Sequence, residues 1–88
     1  MPSRTLEVKN RRGLHARASA RFVTLASGLS ADVEVEKDGT RVCGTSIMGL
    51  MMLGAAMGDR IVVHTSGDSA DEALEALSKL VEERFGEE

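Results

Sequence analysis

The sequence has 88 residues, 42% of them hydrophobic and 28% charged, which is typical of one globular domain over residues 1–88. Its formal net charge of −3 and its two aromatic side chains, both phenylalanine, argue against nucleic-acid binding, which needs a basic surface and stacking rings. A single cysteine cannot form an internal disulfide, and no segment is apolar enough for a signal core or a membrane span, so we expect a cytoplasmic protein without membrane contacts.

The N-terminal third predicts a strand followed by a helix. Leu6 and Val8 alternate with charged residues in TLEVKN, which indicates a half-buried strand. From Ala16, the stretch ARASARFVTLAS has helical periodicity, and Gly28 is expected to end this helix in the left-handed conformation. The predicted apolar face consists of Phe22, Val23 and Ala26, continued toward the helix start by Ala16 and Ser19.

The stretch ADVEVEKDGTRVCG predicts a β-hairpin. Val33 and Val35 alternate with acidic residues, and Asp38-Gly39 is a strong signal for a two-residue turn. Such a turn pairs apolar with apolar and acid with base across the two strands. The predicted pairs are Lys37 with Thr40, Glu36 with Arg41, and Val35 with Val42.

The remaining elements are a short helix, a strand and a long helix. Ser46, or Thr45, is a plausible N-cap for a helix from Ile47 to Leu53, which its glycines keep short. DRIVVHTS predicts a strand with Ile61 and Val63 on one face. SADEALEALSKLVEERFG predicts a helix that Ser69 and Glu72 begin with a capping box and Gly86 ends. Its apolar face comprises Leu74, Leu77, Leu80, Val81 and Phe85.

The order strand, helix, strand, strand, helix, strand, helix predicts an α+β fold of two layers. Strands in short succession favour an antiparallel sheet, and helices on one side would cover one of its faces. The alternation of apolar and polar residues along each strand fits a sheet with one buried face.

His15 and Arg17, in the stretch GLHARAS, lie where the first helix is expected to begin. The first backbone N–H groups of a helix have no internal partners and attract phosphate. Arg17 adds a cation with forked donors, and a neutral imidazole, which titrates near pH ~6.5, is a nucleophile. The pair is therefore either a small phosphoryl-accepting site or an ordinary solvated surface pair.

The sequence predicts neither a metal site nor a cofactor. His64 is the only other histidine and Cys43 the only cysteine, and their spacing matches no known metal-ligand pattern. A lone cysteine on a strand is usually packed and inert, which makes Cys43 a weak candidate nucleophile.

The segment after Ser46 contains more apolar residues than one face of a short helix can bury. Some of them should be exposed, and an exposed methionine-rich patch is typical of a surface that binds several partners. The alternative is that they fill the core of a protein that has few aromatic residues. The residues concerned are Ile47, Met48, Leu50, Met51, Met52, Leu53 and Met57.

Two stretches resemble one known family. GLHARASA is similar to the active-site stretch of HPr, the histidine-containing phosphocarrier of the bacterial phosphoenolpyruvate-dependent phosphotransferase system. GTSIMGLMMLG resembles the second signature of that family, around its regulatory serine. The resemblance implies an open-faced β-sandwich in which three helices cover one face of a four-stranded antiparallel sheet.

The resemblance also implies roles for individual residues. His15 would accept a phosphoryl group from enzyme I on Nδ1 and pass it to EIIA-type domains, with Arg17 and the backbone N–H groups of Ala16 and Arg17 holding the group. Ser46 matches the position that HPr kinase/phosphorylase modifies. Ile47, Met48 and Met51 match the surface that docks partners. We therefore expect the chain to be a monomeric carrier and not an autonomous enzyme.

The sequence departs from the family at Ala18, where proline is usual, and this leaves the rigidity of the turn at His15 open. KNRRGLHAR is similar to the nitrogen-related branch of the family, whereas TSIMGLMM is similar to the regulated sugar-uptake carriers, so the branch stays open too.

Two other hypotheses on the function also remain. One is a ferredoxin-like small-molecule sensor. The other is a purely regulatory partner protein that acts through Ser46 and the methionine-rich segment.

Overall fold

A computed structural model describes residues 2–87 and contains four strands and three α-helices. The strands are β1 (Ser3–Glu7), β2 (Ala31–Lys37), β3 (Thr40–Cys43) and β4 (Arg60–Gly67). The helices are α1 (Ala16–Ser27), α2 (Ile47–Met52) and α3 (Ala70–Glu82), and a short 3₁₀ turn (Arg84–Gly86) follows α3. No helix within residues 2–87 is long and apolar enough to cross a membrane.

The strands form one antiparallel sheet in the order β1-β4-β2-β3. β2 and β3 form the predicted hairpin, and its register is confirmed at all three predicted pairs, including Val35 opposite Val42. The predicted α+β architecture, with an open-faced antiparallel sheet and three helices, is confirmed.

The core lies between the inner face of the sheet and the helices. Val35, Ile61 and Val63 are fully buried on the central strands, as the alternation along the strands predicts. Both phenylalanines are also fully buried, so the largest side chains of the core are the two aromatic ones. α1 packs against α2 and α3, and α3 packs on β1 and β4.

The ends of α1 and α3 differ from the sequence predictions in three places. Gly28 is not left-handed, since its φ of −86° leaves it in the right-handed helical region, where its N–H donates to the Leu25 carbonyl over 3.1 Å. Ser69 forms no capping box, because its φ of 58° leaves its side chain without a capping hydrogen bond. α3 ends at Glu82 rather than at Gly86, because Arg84 and Phe85 take left-handed angles in the 3₁₀ turn.

The predicted apolar faces of the helices are otherwise close to those observed. On α1, Ala18, Ser19, Phe22 and Ala26 are buried, whereas Ala16, which was predicted to extend this face, is exposed. Ala18 is fully buried, so the position where the family usually has proline packs into the core. α2 ends one residue earlier than predicted, at Met52.

Candidate functional site

The start of α1 is built around His15, which is the N-cap of the helix. Its backbone is extended, and its Nδ1 accepts a hydrogen bond from the backbone N–H of Arg17 over 3.2 Å. The preceding Gly13 has a φ of +63°, and the Leu14 N–H donates to the Ala55 carbonyl over 2.9 Å. The turn that carries His15 is therefore held against the loop that follows α2.

The other ring nitrogen of His15 contacts a carboxylate from the far end of the chain. Nε2 of His15 lies 2.6 Å from Oε2 of Glu87, and both side chains are less than one-fifth exposed. Oε1 of Glu87 accepts a hydrogen bond from the side-chain amide of Asn10 over 3.0 Å. The same Asn10 amide donates to the Gly13 carbonyl over 2.8 Å, so Asn10 ties Glu87 to the turn before His15.

These contacts select one tautomer of the imidazole. A carboxylate only accepts hydrogen bonds, so Nε2 carries the hydrogen and donates it to Glu87. Nδ1 accepts from a backbone N–H, so it is unprotonated and its lone pair receives that hydrogen bond. Both contacts demand the same neutral tautomer, and its nucleophilic atom, Nδ1, faces the first turn of α1.

The pKa of the Glu87 carboxyl is perturbed by its surroundings. Burial raises this pKa, but the hydrogen bonds from Asn10 and His15, together with the nearby charge of Arg21, lower it by more. The net result is a pKa below the ordinary value of 4.5, so Glu87 is a carboxylate at neutral pH. No local pattern in the sequence marks Glu87 as a partner of His15.

The first turn of α1 contains no acidic residue, whereas that of α3 contains Asp71 and Glu72. The partial positive charge at the start of α1 is therefore not neutralised by the helix's own side chains. Arg17 adds an exposed guanidinium to this turn. Ala16 and Arg17 are the first two helical residues, as predicted, and helix geometry leaves the Ala16 N–H without an intrahelical partner.

Ser46 is the N-cap of α2, as predicted. Its backbone is extended, and its hydroxyl oxygen accepts a hydrogen bond from the Gly49 N–H over 3.0 Å. The Ser46 side chain is only partly exposed, and the first turn of α2 contains no acidic residue.

α2 and the loop after it expose a patch of large apolar side chains, as the sequence predicted for part of this segment. Met48 and Met52 are the most exposed, at 72% and 79%, whereas Leu50 and Leu53 are buried in the core. Because α1 packs against α2, the patch lies on the helix next to the one that His15 caps. We call it the α2 patch, and its members are Ile47, Met48, Met51, Met52 and Met57.

The other candidate residues lie on the sheet, away from His15. Cys43 is exposed, so the prediction that it is packed is wrong: Val42 faces Val35 toward the core, and its neighbour therefore faces outward. Hydrogen bonds from Thr45 lower the pKa of the Cys43 thiol below its ordinary value of 9.0. Nε2 of His64 lies 2.9 Å from Oε1 of Glu36. Within residues 2–87, no three histidine, cysteine or acidic side chains are grouped so that they could hold a metal ion.

Comparisons with known proteins all indicate the same family. A family model described as "PTS HPr component phosphorylation site" matches residues 2–83. The chain is 47% identical over 87 residues to the phosphocarrier protein HPr of Neisseria meningitidis, and the match covers 99% of this chain and 98% of that protein. A crystal structure of HPr from Thermoanaerobacter tengcongensis superposes with a TM-score of 0.95 at 46% identity, covering 100% of this chain and 99% of that one.

A second structure from Thermoanaerobacter tengcongensis bears on the oligomeric state. It is described as an HPr dimer and superposes with a TM-score of 0.78 at 46% identity, covering 99% of this chain and 100% of that one. The expectation of a monomer therefore finds no support among these relatives.

Proposed function

Because the chain belongs to the HPr family, we propose that it is a phosphoryl carrier of the phosphotransferase system and that His15 holds the phosphoryl group on Nδ1. Enzyme I is the proposed donor and EIIA-type domains are the proposed acceptors. The chain acts as one cytoplasmic domain that carries the group and does not turn over a substrate alone. This carrier step is common to the sugar-uptake and nitrogen-related branches.

The observation that carries the proposal is the pair of contacts on the His15 ring. Glu87 on Nε2 and the Arg17 N–H on Nδ1 both select the tautomer whose lone pair lies on Nδ1. The nucleophile is thus prepared before a donor arrives, and no proton has to leave Nδ1 during the transfer.

Transfer to His15 forms a bond between Nδ1 and phosphorus while the bond between phosphorus and the donor's leaving atom breaks. The leaving atom keeps that bond's electron pair. The ring retains its hydrogen on Nε2 and gains positive charge, which the Glu87 carboxylate at 2.6 Å offsets. The Arg17 N–H, which donates to Nδ1 before the transfer, then donates to a phosphoryl oxygen instead, together with the Ala16 N–H and the Arg17 guanidinium. Reversal of the same steps delivers the group to an acceptor.

Incubation with enzyme I and phosphoenolpyruvate tests the proposal. The wild type should gain one acid-labile phosphate, and ³¹P and ¹⁵N NMR should place it on Nδ1 of His15. His15→Ala should gain none, whereas His64→Ala, which removes the other histidine, should be labelled like the wild type. Labelling of His15→Ala, or a phosphate on Nε2, would contradict the assignment.

The α2 patch is the proposed docking surface for enzyme I and EIIA-type domains, with Ile47, Met48 and Met51 at its centre. Its support is a row of exposed apolar side chains beside the helix that His15 caps. Met48→Ser should raise the KM of enzyme I for the carrier, with little change in kcat. Val62→Ser, on the sheet, is the control, and an equal effect of both would contradict docking through the patch.

Ser46 is the proposed site of a regulatory phosphate added by an HPr kinase/phosphorylase. A phosphate there would bring a charge of about −2 next to an apolar docking surface, where it disfavours association. Ser46→Asp should weaken enzyme I docking by about tenfold, or ~1.4 kcal/mol. Ser46→Asn keeps a capping side chain without the charge and should match the wild type. Equal docking of the aspartate and asparagine variants would remove the electrostatic explanation.

A further inference from the structure

A cavity beside His15 concentrates positive charge in an otherwise acidic protein. Its volume is about 360 Å³, and its lining includes four exposed arginines together with Gly86 and Glu87. Four of the eleven lysine and arginine residues of a chain with a net charge of −3 thus meet at one place. We call it the arginine cavity, and its arginines are Arg11, Arg12, Arg17 and Arg21.

Among the described residues that line the arginine cavity, four guanidinium groups face one carboxylate. Within residues 2–87, the arginines that form ion pairs are Arg4 and Arg41, and neither lines the cavity. Glu87 also lines it, and its single carboxylate, which accepts from Asn10 and His15, offsets one of the four positive charges. Like charges gathered in this way repel one another, and a bound anion would relieve the repulsion.

The arrangement exceeds what one phosphoryl group on His15 needs. Arg17 and the start of α1 already supply donors for that group. Arg21 lies one turn further along α1, about 6 Å along the helix axis. Its guanidinium is fixed by a hydrogen bond that it donates to the Phe85 carbonyl. Arg11 and Arg12 reach the cavity from the loop before α1.

We propose that the arginine cavity binds a small polyanion that carries two linked phosphate groups. Guanidinium groups match phosphate oxygens with paired donors, and four of them suit a diphosphate better than a single phosphate. Free diphosphate and the diphosphate group of a nucleotide share this chemistry. The site goes beyond the carrier function, because it does not require His15 to be phosphorylated.

The proposed ligand would oppose phosphorylation of His15. A polyanion in the arginine cavity and a phosphoryl group on the neighbouring histidine repel each other and share Arg17. Coupling between two sites is reciprocal, so phosphorylation of His15 should also release the polyanion. The carrier's phosphorylation would then respond to the concentration of the diphosphate compound.

Titration of the ¹⁵N-labelled protein with inorganic diphosphate, at pH 7.5 and physiological ionic strength, tests the proposal by NMR. Amide shifts should concentrate at the arginine cavity, and diphosphate should bind at least ten times more tightly than orthophosphate. The double variant Arg11→Gln/Arg12→Gln should lose at least tenfold in affinity. The control Arg41→Gln/Arg60→Gln removes the same charge from the sheet and should lose less than threefold. Glu87→Gln, which removes the cavity's own negative charge, should bind several times more tightly.

Additional titrations distinguish the possible ligands from one another and ligand binding from protein docking. A nucleoside diphosphate that binds more tightly than inorganic diphosphate would assign the ligand to the nucleotides, and equal binding would assign it to the diphosphate group alone. His15→Ala should still bind diphosphate, even if the carrier function itself fails its own test. Equal losses in the two double variants would overturn the proposal, as would diphosphate binding no better than orthophosphate. A loss of enzyme I docking in Arg11→Gln/Arg12→Gln with diphosphate affinity unchanged would make the cavity a protein-docking surface instead.

Discussion

α1 and α2 begin in closely similar ways. In each, a glycine stands two residues before a capping side chain, which accepts a hydrogen bond from a backbone N–H of the first turn. Gly13 precedes His15 and Gly44 precedes Ser46. Neither first turn contains an acidic residue. The two helix starts thus share a backbone design that leaves positive partial charge at the cap.

The side chains around the two caps differ. The His15 ring is also held by Glu87, and arginines surround the turn. Ser46 is followed by exposed apolar side chains. One helix start thus combines a nucleophile with cations, whereas the other combines a hydroxyl with a surface suited to protein contact. The cap alone therefore does not define the chemistry of a helix start, because the surrounding side chains determine it.

Substitution of the glycines that precede the two caps should change the stability of the fold most. A Cβ on Gly13 would overlap the Ala55 carbonyl and lie 2.8 Å from the Ala56 Cα, at a φ of +63°. Gly13→Ala should therefore reduce the free energy of unfolding by about 3 kcal/mol or more, because backbone strain and overpacking add. A Cβ on Gly44 would meet mainly the Val33 side chain, and Gly44→Ala should cost about 1–2 kcal/mol. Urea unfolding measures both, and equal costs would show that the two turns are equally constrained.

The caps themselves should give an intermediate effect. Ser46→Ala removes the acceptor for the Gly49 N–H and should lower the free energy of unfolding by about 1 kcal/mol. Its rate of phosphorylation by enzyme I should stay close to that of the wild type, because His15 and its contacts are unchanged. A large fall in rate with unchanged stability would mean that Ser46 takes part in the His15 site directly.

The smallest expected effect is the pH dependence of the contact between His15 and Glu87. Because the folded-state pKa of Glu87 lies below 4.5, its contribution to stability is present above about pH 4.5 and is lost as pH falls through the folded-state value. His15→Ala should move the Glu87 pKa back toward the ordinary value, because it removes one of the hydrogen bonds that lower it. A ¹³C NMR titration of the Glu87 carboxyl carbon measures the shift. An unchanged titration in His15→Ala would show that the contact does not hold the carboxylate.

Most strands and helices could be predicted from local sequence patterns, because local backbone geometry determines where these elements form. The hairpin is one example, since Asp38-Gly39 fixes the turn and the turn then fixes the register. Ser69 is the counterexample, because its backbone takes left-handed angles and its side chain makes no capping hydrogen bond. The same register also implied the exposure of Cys43, since Val42 faces the core.

The site was only partly predictable. His15, Arg17 and Ser46 lie at helix starts, which sequence signals mark. Glu87 reaches His15 after a 3₁₀ turn in which Arg84 and Phe85 take left-handed angles, and neither residue type predicts such angles. The arginine cavity likewise depends on Arg11 and Arg12 folding back toward Arg21 across the start of α1.

The contact between His15 and Glu87 joins residues 72 positions apart in the chain. At a translation speed of about 5–20 residues per second, the ribosome adds Glu87 roughly 4–14 s after His15. During that interval, no carboxylate from this position can select the imidazole tautomer. The newly made protein therefore acquires the second contact on its imidazole only after the last residues of the chain have been added.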